Sequence, residues 1–183
     1  MQRLSSVKGW KKVWLISCAV MLVVCSACGT ATGNGNAGGI KGPEGSLPEI
    51  IEQIYSNKDP GIAVGTLEID MNDPDSVKFY TGLDSTDSVS EIAVSEAMIS
   101  AQAYSLVLVR VTDAGAAEDV AREMKEGINP NKWVCVMADD LQVVACGDVV
   151  MLVMMSSTFS DMVTSDEIVD AFREVCGGTL TLE

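Results

Sequence analysis

The sequence predicts an α+β domain: an antiparallel sheet of about four strands in ββαββα order, covered on one face by helices and preceded by two N-terminal helices. Three observations predict it. Apolar segments come in two pairs, 90–99 with 104–111 and 141–146 with 149–155, each joined by a short link. Each pair is followed by a stretch whose apolar residues recur at three- and four-residue spacing. Hairpins thus alternate with helices, without the strand–helix–strand repeats of a parallel sheet.

Ser46-Leu47-Pro48-Glu49 makes a capping box with proline early in the first turn, and Leu47, Ile50, Ile51, Ile54 and Tyr55 recur at helical spacing. This first helix ends near Asn57 or Lys58, ahead of Asp59-Pro60-Gly61. Residues 62–71 have mixed character, compatible with a short strand. Asp73 caps a brief helix from Pro74 to about Tyr80, closed by Gly82. From Ser90 to Ile99 the chain alternates, with Ile92, Val94 and Met98 on one side and Glu91, Ala93 and Ser95 on the other, which predicts a strand with one wet face. Tyr104–Val111 (YSLVLVRV) is more continuously apolar and reads as a central strand, hairpinned to the one before it.

Asp113 caps a helix from about Ala114 to Gly127 whose buried stripe is Ala117, Val120, Ala121 and Met124. Glu118 and Arg122 are placed as an i,i+4 pair on its exposed side, and Asn129-Pro130-Asn131 stops it. Leu141–Cys146 and Val149–Met155 are strands joined by the two-residue turn Gly147-Asp148. The second, VVMLVMM, is apolar on both faces and should be buried. Thr164-Ser165-Asp166-Glu167 is a second capping box; Ile168, Ala171, Phe172, Val175 and Cys176 share one face of the final helix, which Gly177 closes.

The chain before Ser46 is organised differently. Residues 1–27 carry Arg3, Lys8, Lys11 and Lys12 and no acid, followed by the apolar run Val13–Val24 and then small residues, the layout of a secretory signal peptide. A bilayer-spanning helix needs roughly 20 apolar residues, and Gly29 with the polar residues behind it ends this run too early. Cys25-Ser26-Ala27-Cys28 resembles the lipobox of a bacterial lipoprotein signal, with Cys25 standing where Leu or Val is usual. The resemblance implies cleavage before Cys28 and a diacylglyceryl thioether on its sulfur, so Cys28 is the lipidation site; two acyl chains suffice for stable anchoring. A redox or metal pair at Cys25 and Cys28 would need a fold to hold both thiols, and the neighbouring segments predict none.

Residues 28–45 are then the lipidated cysteine and a Gly-rich flexible linker. The stretch GTATGNGNAGGIKGPEG holds 7 glycines, and a coil of 17 residues has an r.m.s. length of about 23 Å. Within it Gly33-Asn34-Gly35-Asn36-Ala37-Gly38 spells G-x-G-x-x-G, but the dinucleotide fingerprint works only between a buried strand and a helix N-terminus, and neither is predicted there. Residues 46–183 form the single α+β domain.

The formal charge of -14 excludes a nucleic-acid binder, since phosphate backbones are bound by clustered Lys and Arg. Outside residues 1–27 eight basic residues face 26 acidic ones, a net of -18. Such a domain is repelled by anionic lipid and wall polymers and favours a basic or cationic ligand. There is no histidine, which removes the usual acid–base residue, the serine and cysteine triads built on it, and the commonest transition-metal ligand. No P-loop or G-x-S-x-G motif is present.

Carboxylates remain. Asp70-Met71-Asn72-Asp73-Pro74-Asp75 begins like a calcium loop, yet proline takes the fifth place, the sixth lacks glycine and Thr81 stands where a bidentate Glu is required. Asp84-Ser85-Thr86-Asp87-Ser88 matches the D-x-S/T-x-S of metal-binding adhesion domains, but follows a short helix instead of a buried parallel strand, so a polar turn is expected. Asp139-Asp140 reads as a solvated turn. Cys135, Cys146 and Cys176 have apolar neighbours and read as small buried residues, with one disulfide among them open. Trp133 beside Lys132 offers either a stacking platform or, more simply, a plug at the edge of the core. No catalytic, metal or cofactor residue is assigned.

The signal at Cys28, the hairpin strand Tyr104–Val111, INPNKWVCV, and Gly147-Asp148 leading into VVMLVM together resemble a group of uncharacterised lipoproteins from Gram-positive anaerobes. That resemblance implies a domain of unknown function and carries over no site residues. The expected protein is a lipid-anchored lipoprotein on the extracytoplasmic face of the cell membrane, non-catalytic, binding an envelope protein or a basic or cationic ligand. The alternative is a carboxylate-dependent envelope enzyme, with or without a divalent cation.

Overall fold

The computed structural model describes residues 41–183, and the expected signal peptide, Cys28 and most of the expected linker lie outside the described residues. The elements are α1 (Leu47–Asn57), β1 (Val64–Glu68), α2 (Pro74–Thr81), β2 (Val89–Ala97), β3 (Tyr104–Val111), α3 (Ala117–Gly127), β4 (Asp140–Cys146), β5 (Val149–Met155) and α4 (Ser165–Val175), with single 3-10 turns at Ala114–Ala116 and Ser157–Phe159. The sheet is antiparallel and has five strands in the order β1-β2-β3-β5-β4. The fifth strand, beyond the four expected, is β1, whose mixed composition gives no clean period. It pairs with β2 from Val64↔Ala97 to Glu68↔Ala93.

The helix boundaries follow their caps. Ser46 and Glu49 close a capping box on α1, and Thr164 and Glu167 close one on α4. Asp73 accepts the Ser76 N–H at the start of α2, and Gly82 ends that helix in the left-handed region at φ 82°. Gly82 and Gly127 are obligatory for a second reason: a Cβ on Gly127 would lie 2.1 Å from the Gly82 carbonyl oxygen, so the ends of α2 and α3 touch backbone to backbone. The Glu118–Arg122 pair does not form; Arg122 pairs with Asp119, three residues back.

Helices cover both faces of the sheet, not one. Leu47, Ile50, Ile51 and Ile54 of α1 and Ile168, Val169, Ala171 and Phe172 of α4 pack on Ala93, Leu106, Leu108, Met151 and Val153. Val77 of α2 and Val120, Ala121 and Met124 of α3 pack on Ile92, Val94, Val107, Val109, Val150 and Leu152. Each buried aliphatic side chain contributes about 1.5–3 kcal/mol against exposure. This layering overturns the wet face expected of β2: Ala93 and Ser95 are both fully buried, because α1 lies over them, while Met98 is 73% exposed. The connection through α3 carries β4 past β5 to the edge, and β5 returns between β4 and β3. All seven residues of β5 are buried as a result.

Candidate functional site

At one end of the sheet the chain crosses the strands. Glu91 on β2 is the register partner of Arg110 on β3, and Arg110 of Val149 on β5. By alternation Glu91 and Arg110 face α1 and α4. The Arg110 guanidinium donates to Glu91 Oε2 at 3.4 Å, Asp148 Oδ2 at 3.0 Å, and the carbonyls of Pro43 and Gly45 at 3.4 and 2.8 Å. Asp148 Oδ1 accepts the Gly42 N–H at 2.9 Å, and Glu91 Oε1 accepts the Leu47 N–H at 2.8 Å. Residues 42–47 therefore form a strap, although 42–45 were expected to belong to the linker. Gly42 must be glycine here, since a Cβ would lie 2.6 Å from the Cys146 carbonyl oxygen. Arg110 was legible only as the one charge in YSLVLVRV; its partners lie 19 to 67 positions away.

At the other end, on the opposite face, Glu96 and Ser105 are register partners and Lys132 reaches in above them. Its side chain is 1% exposed. The ammonium pairs with Glu96, donates to Ser105 Oγ at 3.1 Å, and lies 5.2–5.3 Å from the ring centres of Phe79, Tyr80 and Trp133. Burial lowers the lysine pKa from its ordinary value, with Glu96 opposing. Trp133 does plug the edge of the core, half-buried against the α2/α3 face. The two residues after it turn outward: Val134 is 95% exposed and Cys135 is exposed.

The acidic motifs resolve into local structure. Asp70 accepts the Asn72 N–H and Nδ2–H, and Asp73 caps α2. Asp84 pairs with Lys78, and the Asp87 N–H donates to Ser85 Oγ in a polar turn. Asp139-Asp140 is not the solvated turn expected: Asp139 holds Ser157 through its N–H and Oγ, and Asp140 opens β4 while accepting from Ser165 Oγ at 2.7 Å. These bonds lower the Asp139 pKa, the Ser157 hydroxyl contributing most. Among the described residues no group of three or more Cys, Asp or Glu is placed to hold a metal ion, and no helix is long and apolar enough to cross a membrane. Of the three cysteines among the described residues only Cys146 is fully buried; Cys176 is half-buried, and Cys135 is exposed in segment 128–139, which forms no strand.

The surface best built for a ligand is the outer edge of the sheet. Cys146 and Val149 flank the two-residue turn, where Gly147 takes φ 60°, so Cys146, Val144 and Gln142 exchange backbone bonds with β5. Leu141, Val143 and Ala145 consequently point their N–H and C=O groups outward. Ala145 already uses both: its N–H donates to the Leu182 carbonyl at 3.0 Å, and its carbonyl accepts from the Thr181 N–H at 2.7 Å. Among the described residues the outward groups of Leu141 and Val143 meet no backbone partner. Two grooves flank this edge. One, of about 230 Å³, lies against α3 at Ala121 and Lys125; the other, of about 510 Å³, lies against α4 at Asp166, Val169, Asp170 and Arg173. Gln142 donates to Asp166 at 2.6 Å, and Arg173 pairs with Asp170 and with Glu183.

Such an edge offers main-chain donors and acceptors at strand spacing, with a side-chain slot on either side. That is what an added strand requires. The residue pattern of Asp140–Cys146 does not reveal it, because which strand ends at the edge depends on the α3 crossover. Comparison with protein-family models, curated proteins and solved structures gives no match to this chain.

Proposed function

We propose that this protein is a lipoprotein anchored through Cys28 on the extracytoplasmic face of a cell membrane, and that its domain binds an extended segment of an envelope protein along β4 without catalysing a reaction. The observation that carries the binding role is that the outward backbone groups of Leu141 and Val143, between the α3 and α4 grooves, meet no backbone partner among the described residues. The net charge of -18 outside residues 1–27 favours a segment bearing Lys or Arg. The signal-like N-terminus and its Gly-rich continuation support the location.

The location is tested by acyl labelling and globomycin-sensitive processing; a Cys28→Ser chain that still fractionates with the membrane overturns the anchor. The binding role is tested with Val143→Pro, which removes an outward N–H and leaves the β4–β5 bonds in place. Membrane-solubilised partner should protect the Leu141 and Val143 amides from hydrogen exchange in the natural chain, and Val143→Pro should lose capture. Undiminished capture by that variant overturns the β4 route. The second reading, a carboxylate enzyme, draws on Asp166, Asp170 and Glu183 along the larger groove. A divalent cation that raised the melting temperature of the natural chain, but not of an Asp166→Asn/Asp170→Asn chain, would favour it.

A further inference from the structure

Cys146 is the last residue of β4, 1% exposed, with its side chain in the core beneath α1 and α4. Cys176 is the C-cap of α4 and packs against that same cluster. Thirty positions apart in sequence, the two side chains share that cluster, near enough for Cys146 to contribute to the raised Cys176 pKa. Cys135 lies elsewhere, exposed in segment 128–139. The surroundings of Cys176 leave it room to adjust: Gly177 and Gly178 follow at φ 75° and 94°, and a Cβ on either would meet nothing within 4 Å. Beyond them the chain returns to β4, where Thr181 and Leu182 bond to Ala145.

We propose that Cys146 and Cys176 are a redox pair that forms a disulfide between β4 and the C-terminus of α4, with Cys135 left as a free thiol. The reaction is thiol–disulfide exchange with a small-molecule or protein disulfide. The thiolate of the half-exposed Cys176 attacks one sulfur of the oxidant, whose S–S bond breaks and releases one thiol. Cys146 then attacks the mixed disulfide, releasing the second. One S–S bond forms, two protons leave the cysteines, and two electrons reduce the oxidant to two thiols. Burial and the neighbouring Cys146 push the Cys176 pKa upward, so little thiolate exists at neutral pH and oxidation speeds up as pH rises. The bond closes residues 177–182 into a ring fastened twice to β4, once covalently and once through Ala145, at the end of the edge proposed to take a partner.

Occupancy of the bond in the cell rests on the extracytoplasmic location, since such bonds persist in oxidising compartments; the pairing itself does not. The test uses the full chain, reduced and then equilibrated at graded ratios of oxidised to reduced glutathione, alkylated in denaturant and mapped by peptide mass. The expected result is a linked pair of peptides containing Cys146 and Cys176, two hydrogen atoms lighter than the reduced pair, with Cys135 alkylated throughout. The oxidised chain should also unfold at a higher urea concentration, and Cys176→Ser should leave Cys146 alkylated and abolish that difference. Alkylation of both Cys146 and Cys176 at every ratio, or a bond that recruits Cys135, overturns the proposal. Failure of the Cys28 acyl label would overturn the location and leave this titration unchanged, so the two are separable.

Discussion

Arg110 and Lys132 are both drawn into the domain, at opposite ends and on opposite faces of one sheet, and they are accommodated in opposite ways. Arg110 is surrounded by full charges and carbonyls: two carboxylates and two backbone oxygens take its fork of donors. Lys132 has one carboxylate, one hydroxyl and three ring faces. A planar guanidinium can satisfy several acceptors at once, so Arg110 joins distant pieces of chain; an ammonium is a point charge that rings can solvate. The first is a junction and the second a stud.

The largest effect should come from breaking the junction. Arg110→Met leaves Glu91 and Asp148 facing each other and frees the strap; because these partners are 27% and 26% exposed, the cost should be about 2–3 kcal/mol in urea unfolding, below that of a fully buried pair. Hydrogen exchange should then speed at the Gly42 and Leu47 amides. Gly42→Ala attacks the same junction sterically and should cost about 1–3 kcal/mol, by the same measurement. A Lys132→Met/Glu96→Gln chain removes both charges of the pair, keeps a flexible apolar chain against the three rings, and should change stability by about 1 kcal/mol or less; a loss as large as that of Arg110→Met would erase the distinction between the two sites.

The smallest effects are in pH dependence. Because the Lys132 pKa is lowered on folding, the folded chain binds fewer protons than the unfolded one between that lowered value and the ordinary 10.5. Stability from this group therefore rises with pH across that window, and the slope should be absent in Lys132→Met. Glu167 has the reverse sense. Its pKa is depressed below 4.5, chiefly by the Lys58 hydrogen bond and then by the Thr164 backbone. Its contribution is full above about pH 4.5 and is lost as pH falls through the depressed value; Glu167→Gln should flatten the acid limb of the stability curve.

Local signals in the sequence carried the helices and the two inner strands. The capping boxes at Ser46 and Thr164 and the unbroken VVMLVMM are each contained within one element, and each formed as expected. What stayed hidden depends on pairing at a distance. Val64–Glu68 is a strand because β2 offers it a ladder, not because its own composition demands one. Ala93 and Ser95 are small enough to suit either water or a covering helix, so the second helical layer left no mark in them. The strap was unreadable for the same reason: Gly42 and Asp148 are 106 positions apart. The proposed binding edge follows from strand order alone, and the approach of Cys176 to the cluster that holds Cys146 from where α4 ends.

The strap also has a mechanical meaning. If the domain hangs from a lipid at Cys28, any pull from the membrane reaches it first at Gly42. Residues 42–47 run across the ends of β5, β3 and β2 instead of along one outer strand. Tension arriving there is shared among neighbouring inner strands and resisted by several bonds at once, where an attachment at β1 or β4 would be unzipped one bond at a time. On a lipid tether the attachment would work as strain relief, keeping jolts from reaching the exposed edge proposed to take a partner strand.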